Sequence, residues 1–272
     1  IPDHFPDAVI AEAEDVAEAS LKGRTDLRDL ALITIDPSDA RDHDDAVYAE
    51  PDSDPANPGG FIVWVAIADV ATYVRPGSAL DREARLRGNS SYFPDRVVPM
   101  LPDRLSGDLC SLHEGVPRAC IALRMQLDAN GQKISHRFVR AMMRSVASLN
   151  YIEVQEAVDG APNDRTGPLL EPVLKPLYAA YRALAKARDA RQPLDLELPE
   201  RKIILDDDGK VTSVSFYERF DAHKLIEECM LAANVAMADF IQATKGAGLY
   251  RVHDEPDPES VTRLAGTLAQ FG

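Results

Sequence analysis

Five aspartates, Asp36, Asp39, Asp42, Asp44 and Asp45, fall within ten residues of the stretch TIDPSDARDHDDA. Carboxylates at this density suit the holding of a hard divalent cation. Two of them about 4 Å apart repel by about 1 kcal/mol in water and about 4 kcal/mol at an effective dielectric of 20. Several converging on one place therefore need either full solvation or a bound cation. Paired cations serve phosphoryl-transfer enzymes by clamping the attacking and leaving oxygens together. A calcium loop of the EF-hand type is excluded, because the sixth position counted from Asp36 is Arg41 where that loop requires Gly. Spacing alone leaves two readings open, a catalytic divalent-metal site and a solvated acidic loop. A second acidic run, Asp206-Asp207-Asp208, precedes Gly209 between two apolar stretches. Asp and Gly there make a hairpin turn, and the run reads as solvated.

The elements around the first cluster are strands. ALITI (31–35) is a short apolar strand that ends as the aspartates begin, and DAVYAE resumes extended character after them. The loop 51–60 is dense in turn formers and leads into FIVWVAIAD, a β-branched run expected to be a buried strand. The cluster is thus expected between neighbouring strands, at the rim of one sheet. ACIALRMQLDANGQKISHRFV predicts a hairpin turning through Asn130-Gly131. RKIILDDDGKVTSVSFYE predicts another. Helices are expected over residues 6–20 and 171–191, the latter with Val173, Leu177, Tyr181, Leu184 and Ala187 on one face. HKLIEECMLAANVAMADFIQAT reads as a long helix, apolar on more than one face and therefore buried. Asp257-Pro258 supplies a cap and first-turn pair for a last helix, while residues 21–30 read as a connector. Hairpins mixed with non-alternating helices predict an α+β fold, a largely antiparallel mixed sheet packed against long helices.

Composition narrows the function classes. The 272 residues are 45% hydrophobic and 28% charged, enough for one large globular domain or two small ones. No apolar run approaches membrane-spanning length, so no membrane partner is expected, nor a small-molecule cofactor. The amino end lacks the regions of a signal peptide and begins with Ile1, from which a segment of a longer, unexported protein is expected. Cys110, Cys120 and Cys229 are too scattered for a disulfide framework or a zinc site and read as buried thiols of a cytoplasmic protein. A net charge of -15 argues against a polyanionic partner unless a local cation intervenes. Carboxylate-held metal is the usual source of one.

The longer motifs carry a resemblance. DLRDLALITIDPSDARDHDDAVYA resembles the opening of the catalytic domain of the ribonuclease II/ribonuclease R family. The similarity continues through VAIADVATYVRPGSALDREARLRGNSSYFPDRVVPMLPDRLSGDLCSL, LIEECMLAANVAMA and YRVHDEPDP, with the ribonuclease R branch closest. It implies a Mg²⁺-dependent exoribonuclease, with Mn²⁺ as a possible substitute, that shortens single-stranded RNA from its 3′ end and releases nucleoside 5′-monophosphates. Carried over by motif, the catalytic aspartates are Asp36, Asp42, Asp44 and Asp45, of which Asp36, Asp42 and Asp45 hold metal. Asp39 falls outside that set and is expected to be solvated. His43 sits between ligands and is read as structural. Tyr92 matches a tyrosine that contacts RNA near its 3′ end, Tyr151 one that packs on the terminal nucleotide, and Glu227 a glutamate that reaches it. Taken without the resemblance, both tyrosines would be assigned to the core and Glu227 to a helix surface.

Those residue types suit the implied reaction. Mg²⁺ binds through few protein carboxylates, aromatic faces stack with any base, and hydrogen bonds to a 2′-hydroxyl distinguish RNA from DNA. The chain also departs from the family pattern. Leu196 stands where an aromatic residue usually completes the base clamp, and the later arginine-rich motif and flanking RNA-binding domains have no counterpart before Gly272. The expectation is a partial catalytic domain over 1–272, with a leading helix and connector at 1–30 and a catalytic core at 31–272. A catalytically silent RNA- or protein-binding relative is the alternative, against which retention of all four aspartates counts. A non-nuclease acidic metal-binding domain would leave Tyr92 and Tyr151 unexplained.

Overall fold

The computed structural model describes residues 3–193, 201–206 and 208–271. Leu196 and Asp207 lie outside the described residues. The chain divides into two compact units, Ile1–Ala233 and Asn234–Gly272.

The first unit is built on a seven-stranded sheet. In chain order its strands are β1 (Thr25–Leu27), β2 (Ile33–Asp36), β3 (Asp45–Pro51) and β4 (Phe61–Ala68), then β7 (Pro117–Leu127), β8 (Lys133–Arg144) and β9 (Ala147–Asn150). Two-residue strands β5 (Ser91–Tyr92) and β6 (Val97–Val98) pair separately, as do β10 (Arg201–Leu205) and β11 (Val211–Phe216). The large sheet runs in the order β1-β8-β7-β4-β3-β2-β9. Its centre is antiparallel, and its two edge pairs, β1 with β8 and β2 with β9, are parallel. The fold is α+β with a mixed, largely antiparallel sheet.

Both faces of the centre are covered, which is why β4 and β7 read as near-continuous apolar runs. On one side α1 (Asp7–Asp15), α2 (Ala79–Arg87) and the π-helical turn Arg104–Leu109 close over Ala46, Ala66, Cys120 and Ala141, with Leu80, Leu105 and Leu112 fully buried. On the other side α5 (Lys175–Asp189) packs across β3 and β4. It is preceded by α3 (Tyr151–Val158), the single turn α4 (Gly167–Leu169) and a π-helical stretch, Leu170–Leu174. Val173, Leu177, Leu184 and Ala187 are buried there as the periodicity predicts, with Tyr181 half-buried. The buried Glu228 of α6 (Asp221–Thr244) is paired with Arg188 of α5 at 3.1 Å, and Gln155 Oε1 of α3 accepts from Tyr178 Oη at 3.4 Å and from the Ala222 N–H at 3.2 Å. These bonds lock α3, α5 and the start of α6 together.

Three expectations change. The first helix ends at Asp15 rather than residue 20, with Val16 extended at ψ 119°. Glu14 and Asp15 place negative charge at its carboxyl end, where the helix dipole opposes them. The presumed connector contains β1, whose edge pairing is parallel and long-range and so leaves no local pattern. Only the first half of α6 is buried throughout its inner face, at Ala222, Leu225, Ile226 and Cys229, whereas Leu231 and Val235 are 50% and 58% exposed. A helix apolar on several sides carries no polar stripe to mark which of them will be covered.

The second unit holds the rest of α6 and α7 (Pro258–Leu268), which begins at the expected residues: Asp257 caps it by accepting from the Glu259 and Ser260 N–H groups, and Pro258 follows in the first turn. All three cysteines are buried free thiols. Among the described residues no helix is long and apolar enough to cross a membrane.

The Asn130-Gly131 turn shows how tightly the layers fit. Gly131 has φ +76°, and a Cβ there would lie 2.1 Å from the Ala183 carbonyl oxygen of α5. Lys186 Nζ donates to Asn130 Oδ1 at 2.8 Å across the same contact. Gly115 has a similar φ of +75° with nothing within 4 Å of its would-be Cβ. Gly115→Ala should therefore cost only the left-handed strain of about 1 kcal/mol, and Gly131→Ala at least twice as much, about 2 kcal/mol or more. Urea midpoints of the two variants measure this, and equal losses would show that α5 does not press on the turn.

Candidate active site

The four aspartates gather where three strands end. Asp36 is the last residue of β2 and pairs in register with Asn150, the last of β9. Asp45 opens β3 and pairs with Ile67, near the end of β4. The loop between Asp36 and Asp45 carries Asp42 and Asp44 and is fastened from two sides. The N–H of His43 donates to Ser111 Oγ at 3.0 Å, and the N–H of Leu112 donates to the His43 carbonyl at 2.8 Å. The Ala68 N–H donates to the Asp44 carbonyl at 3.0 Å. Ser111 is fully buried, and its carbonyl accepts from Arg118 Nε at 3.0 Å. A rigid clip, rather than the charges themselves, holds the loop in place. Asp39 lies exposed, as a solvated residue should.

The electrostatics are strained. Asp45 is mostly buried, its Oδ2 has no hydrogen-bond partner, and its carboxyl is pushed up to about 7 by burial and then by the charges of Asp36 and Asp44. Asp44 presents surface to solvent, yet protein surrounds it on its other sides. That burial, with Asp42 and Asp36 nearby, raises its carboxyl too. His43 Nδ1 lies 2.7 Å from Asp36 Oδ2, and this hydrogen bond raises the imidazole above its ordinary pKa against the opposing effect of burial. His43 thus holds the first aspartate through a hydrogen bond, in keeping with a structural role. Its place between aspartates was the one sequence signal for that role.

The other expected site residues border this cluster. Tyr92 on β5 is 68% exposed, and its hydroxyl makes a long 3.5 Å hydrogen bond to Asp42 Oδ2 across fifty positions of sequence. Tyr151 opens α3 directly after Asn150, so the register that places Asp36 also places Tyr151. A capping box fixes that junction: the Asn150 N–H donates to Glu153 Oε1 at 2.8 Å and the Glu153 N–H donates to Asn150 Oδ1 at 3.0 Å. The Tyr151 ring stacks on His223 of α6 at 3.8 Å. Burial, then the charges of Asp36, Asp45 and Glu227, push its hydroxyl up to about 12. Glu227 is exposed and ion-paired with Arg219 at 2.5 Å. Neither His223 nor Ser111 carries a sequence signal that singles it out.

The donor set fits a hard divalent cation. Its donors are carboxylate oxygens, their mutual repulsion calls for a counter-charge, and the buried unpartnered Oδ2 of Asp45 is an oxygen with nothing else to bind. Among the described residues no three such side chains converge closely enough, as they stand, to ligate one ion. Asp36 is turned to His43 and Asp42 to Tyr92. Cation binding would draw on side-chain rotation, which the fixed backbone of the loop permits.

The family model for the RNB domain matches residues 24–270. The chain belongs to the RNB domain family. It is 43% identical over 278 aligned residues to ribonuclease R of Escherichia coli, covering 100% of this chain and 34% of that protein. It is 44% identical to ribonuclease R of Vibrio cholerae, covering 100% of this chain and 33% of that protein. The chain thus spans about a third of the length of these curated relatives. The structure of Mycoplasma genitalium RNase R in complex with ribose-methylated single-stranded RNA superposes with a TM-score of 0.93 at 29% identity, over 99% of this chain and 42% of that one.

The raised carboxyl of Asp45 has a stability consequence. A carboxylate whose folded pKa lies above its unfolded value binds more protons folded than unfolded, so its cost to stability grows as pH rises from about 4 to about 7. In EDTA near pH 8, Asp45→Asn should be more stable than the unaltered chain by about 1–3 kcal/mol, with the gain shrinking towards pH 4. Added Mn²⁺ should then raise the melting temperature of the unaltered chain and leave an Asp36→Asn/Asp45→Asn double variant unmoved. Equal Mn²⁺ responses would remove metal from this site.

Proposed function

We propose that this chain carries the cation-holding and nucleotide-holding part of a 3′-to-5′ hydrolytic exoribonuclease that releases nucleoside 5′-monophosphates from single-stranded RNA. The observation that carries the reading is the meeting of Asp36, Asp42, Asp44 and Asp45 at one set of strand ends, beside Tyr92 and Tyr151, in an RNB-family chain. Asp36, Asp42 and Asp45 would hold Mg²⁺, or Mn²⁺ in its place. When bound, the cation would offset the charge of the reacting phosphate and make water more acidic.

The chain's own groups supply the rest. Asp44, the more accessible of the adjacent pair, accepts a hydrogen bond from the attacking water through a carboxylate oxygen and takes its proton as the water oxygen bonds to phosphorus. The bond from phosphorus to the 3′-oxygen of the preceding nucleotide breaks, and that oxygen gains a proton from solvent. A carboxyl raised towards neutrality is better matched to that task than an ordinary one. Tyr151 keeps its hydroxyl proton at any working pH and can donate to the terminal nucleotide. Tyr92 stands at the exposed rim, where a base further along the strand would pass. Glu227 can reach the terminal sugar by exchanging its Arg219 partner for a ribose hydroxyl. The buried free thiols suit a reducing cytoplasm. Flanking RNA-binding domains in the longer protein would bring the RNA to a surface that is itself acidic.

Two measurements test this reading. In the full-length protein, Asp44→Asn should slow release of mononucleotides by about 10²–10⁴-fold and leave RNA affinity nearly unchanged. Binding and turnover lost in equal measure would make Asp44 structural. The 272-residue chain alone should be a poor nuclease with salt-sensitive RNA binding, because the aspartates need cationic support at the phosphate, and one such donor is worth about 10²–10³-fold elsewhere. Both proteins would be compared on one 5′-labelled single-stranded RNA with Mg²⁺ present. Equal turnover would show that residues 1–272 suffice.

A further inference from the structure

Tyr151 does not stand alone at the terminal-nucleotide position. Its ring lies 3.8 Å from the imidazole of His223 at an interplanar angle of 15°, flatter and closer than the edge-on contacts most aromatic pairs adopt. The imidazole is itself held. His223 Nδ1 accepts a hydrogen bond from the backbone N–H of Phe220 at 3.1 Å, so in the neutral ring the proton sits on Nε2. The Phe220 ring lies 5.7 Å away, tilted by 31°. Burial keeps the imidazole below its ordinary pKa, with Arg219 acting in the same sense and Glu227 against it, which favours a neutral ring. The backbone is tied as well. Gln155, one turn along α3 from Tyr151, accepts from the N–H of Ala222, the residue next to His223.

Resting on the exoribonuclease reading above, we propose that His223 is a positioning residue, whose imidazole occupies one face of Tyr151 and thereby fixes which face and edge of the phenol meet the terminal nucleotide. A base cannot stack on the face that His223 covers. On this proposal the nucleotide meets the opposite face and the hydroxyl, and that hydroxyl makes no hydrogen bond among the described residues. Without the imidazole, the Tyr151 side chain would regain rotamers that point its hydroxyl elsewhere, and each binding event would have to order it again.

Two roles for His223 can be separated by shape. His223→Phe keeps a flat ring against Tyr151 and loses the acceptor for the Phe220 N–H. His223→Asn keeps an acceptor near the Nδ1 position and loses the ring. The full-length protein and its His223→Phe, His223→Asn and His223→Ala variants would be compared for melting temperature, for affinity towards a 3′-hydroxyl single-stranded RNA oligonucleotide in EDTA, and for KM and kcat with Mg²⁺. The proposal expects His223→Asn and His223→Ala to weaken RNA affinity and raise KM by about three- to tenfold with a smaller change in kcat, and His223→Phe to lose distinctly less. It is overturned if His223→Asn binds RNA as the unaltered protein does, or if His223→Phe loses as much as His223→Ala, since the Phe220 hydrogen bond alone would then explain the residue. An unaltered protein that neither binds nor shortens the RNA would refute the exoribonuclease reading and take this inference with it. An active protein whose variants rank otherwise refutes only the role of His223.

Discussion

The structure is organised around a repulsion. The charges of Asp36 and its neighbours raise the affinity of Asp44 and Asp45 for protons, and Asp45 is largely buried with one carboxylate oxygen unpartnered. Left to itself, such a group would open its loop to water, since a solvated charge about 4 Å from another repels it by only about 1 kcal/mol. What prevents this is backbone. The strands on either side of the loop are fixed by sheet register, and the loop between them is clipped to Ser111 and Leu112. The chain therefore holds carboxylates together with hydrogen bonds that do not involve the carboxylates, so a cation can arrive without the loop having to refold.

The same backbone logic places Tyr151. A parallel pairing between β2 and β9 puts Asp36 opposite Asn150, and the chain turns into α3 with Tyr151 as its first residue. Parallel edge pairs are unusual beside a largely antiparallel centre, and this one has a use: it brings two residues more than a hundred positions apart to one rim with no loop to blur their relation. The helices α3, α5 and α6 are then joined by the Arg188–Glu228 pair and the shared Gln155 acceptor. A buried ion pair of this kind is weak support for stability but fixes which groups may face each other, and here it fixes which stretch of α6 faces Tyr151.

Local features were legible in the sequence and long-range ones were not. The Asn130-Gly131 hairpin, the Asp257-Pro258 helix start and the stripe from Val173 to Ala187 follow from turn geometry, capping and periodicity within a few residues. The aspartate cluster stood out because like charges at that density need a reason. By contrast β1 and the early end of α1 depend on partners or charges that a periodicity count ignores. The resemblance reads His43 as structural, and nothing in its spacing says which aspartate the imidazole will face. His223 and Ser111 meet the site through residues 68 to 72 positions away in the sequence, Tyr151 and His43, and no pattern within a window of twenty could have marked those contacts. Leu196, where a weakened base clamp was expected, lies outside the described residues.

If the chain takes RNA as proposed above, its acidity sets a problem of approach. With a net charge of -15, long-range electrostatics oppose a phosphate chain, and four of the carboxylates behind that charge stand at the site itself. Aromatic contact is one attraction that does not depend on sign, and the tyrosines beside the cluster supply it. Cations gathered by the aspartates would reverse the sign locally, only where the reacting phosphate must sit. This division confines attraction to the strand end and leaves the remaining acidic surface repulsive. A phosphate chain would then be held at its terminal nucleotides and poorly elsewhere on this segment. On the proposed reading, that arrangement would favour an enzyme working from an end over one cutting at internal positions.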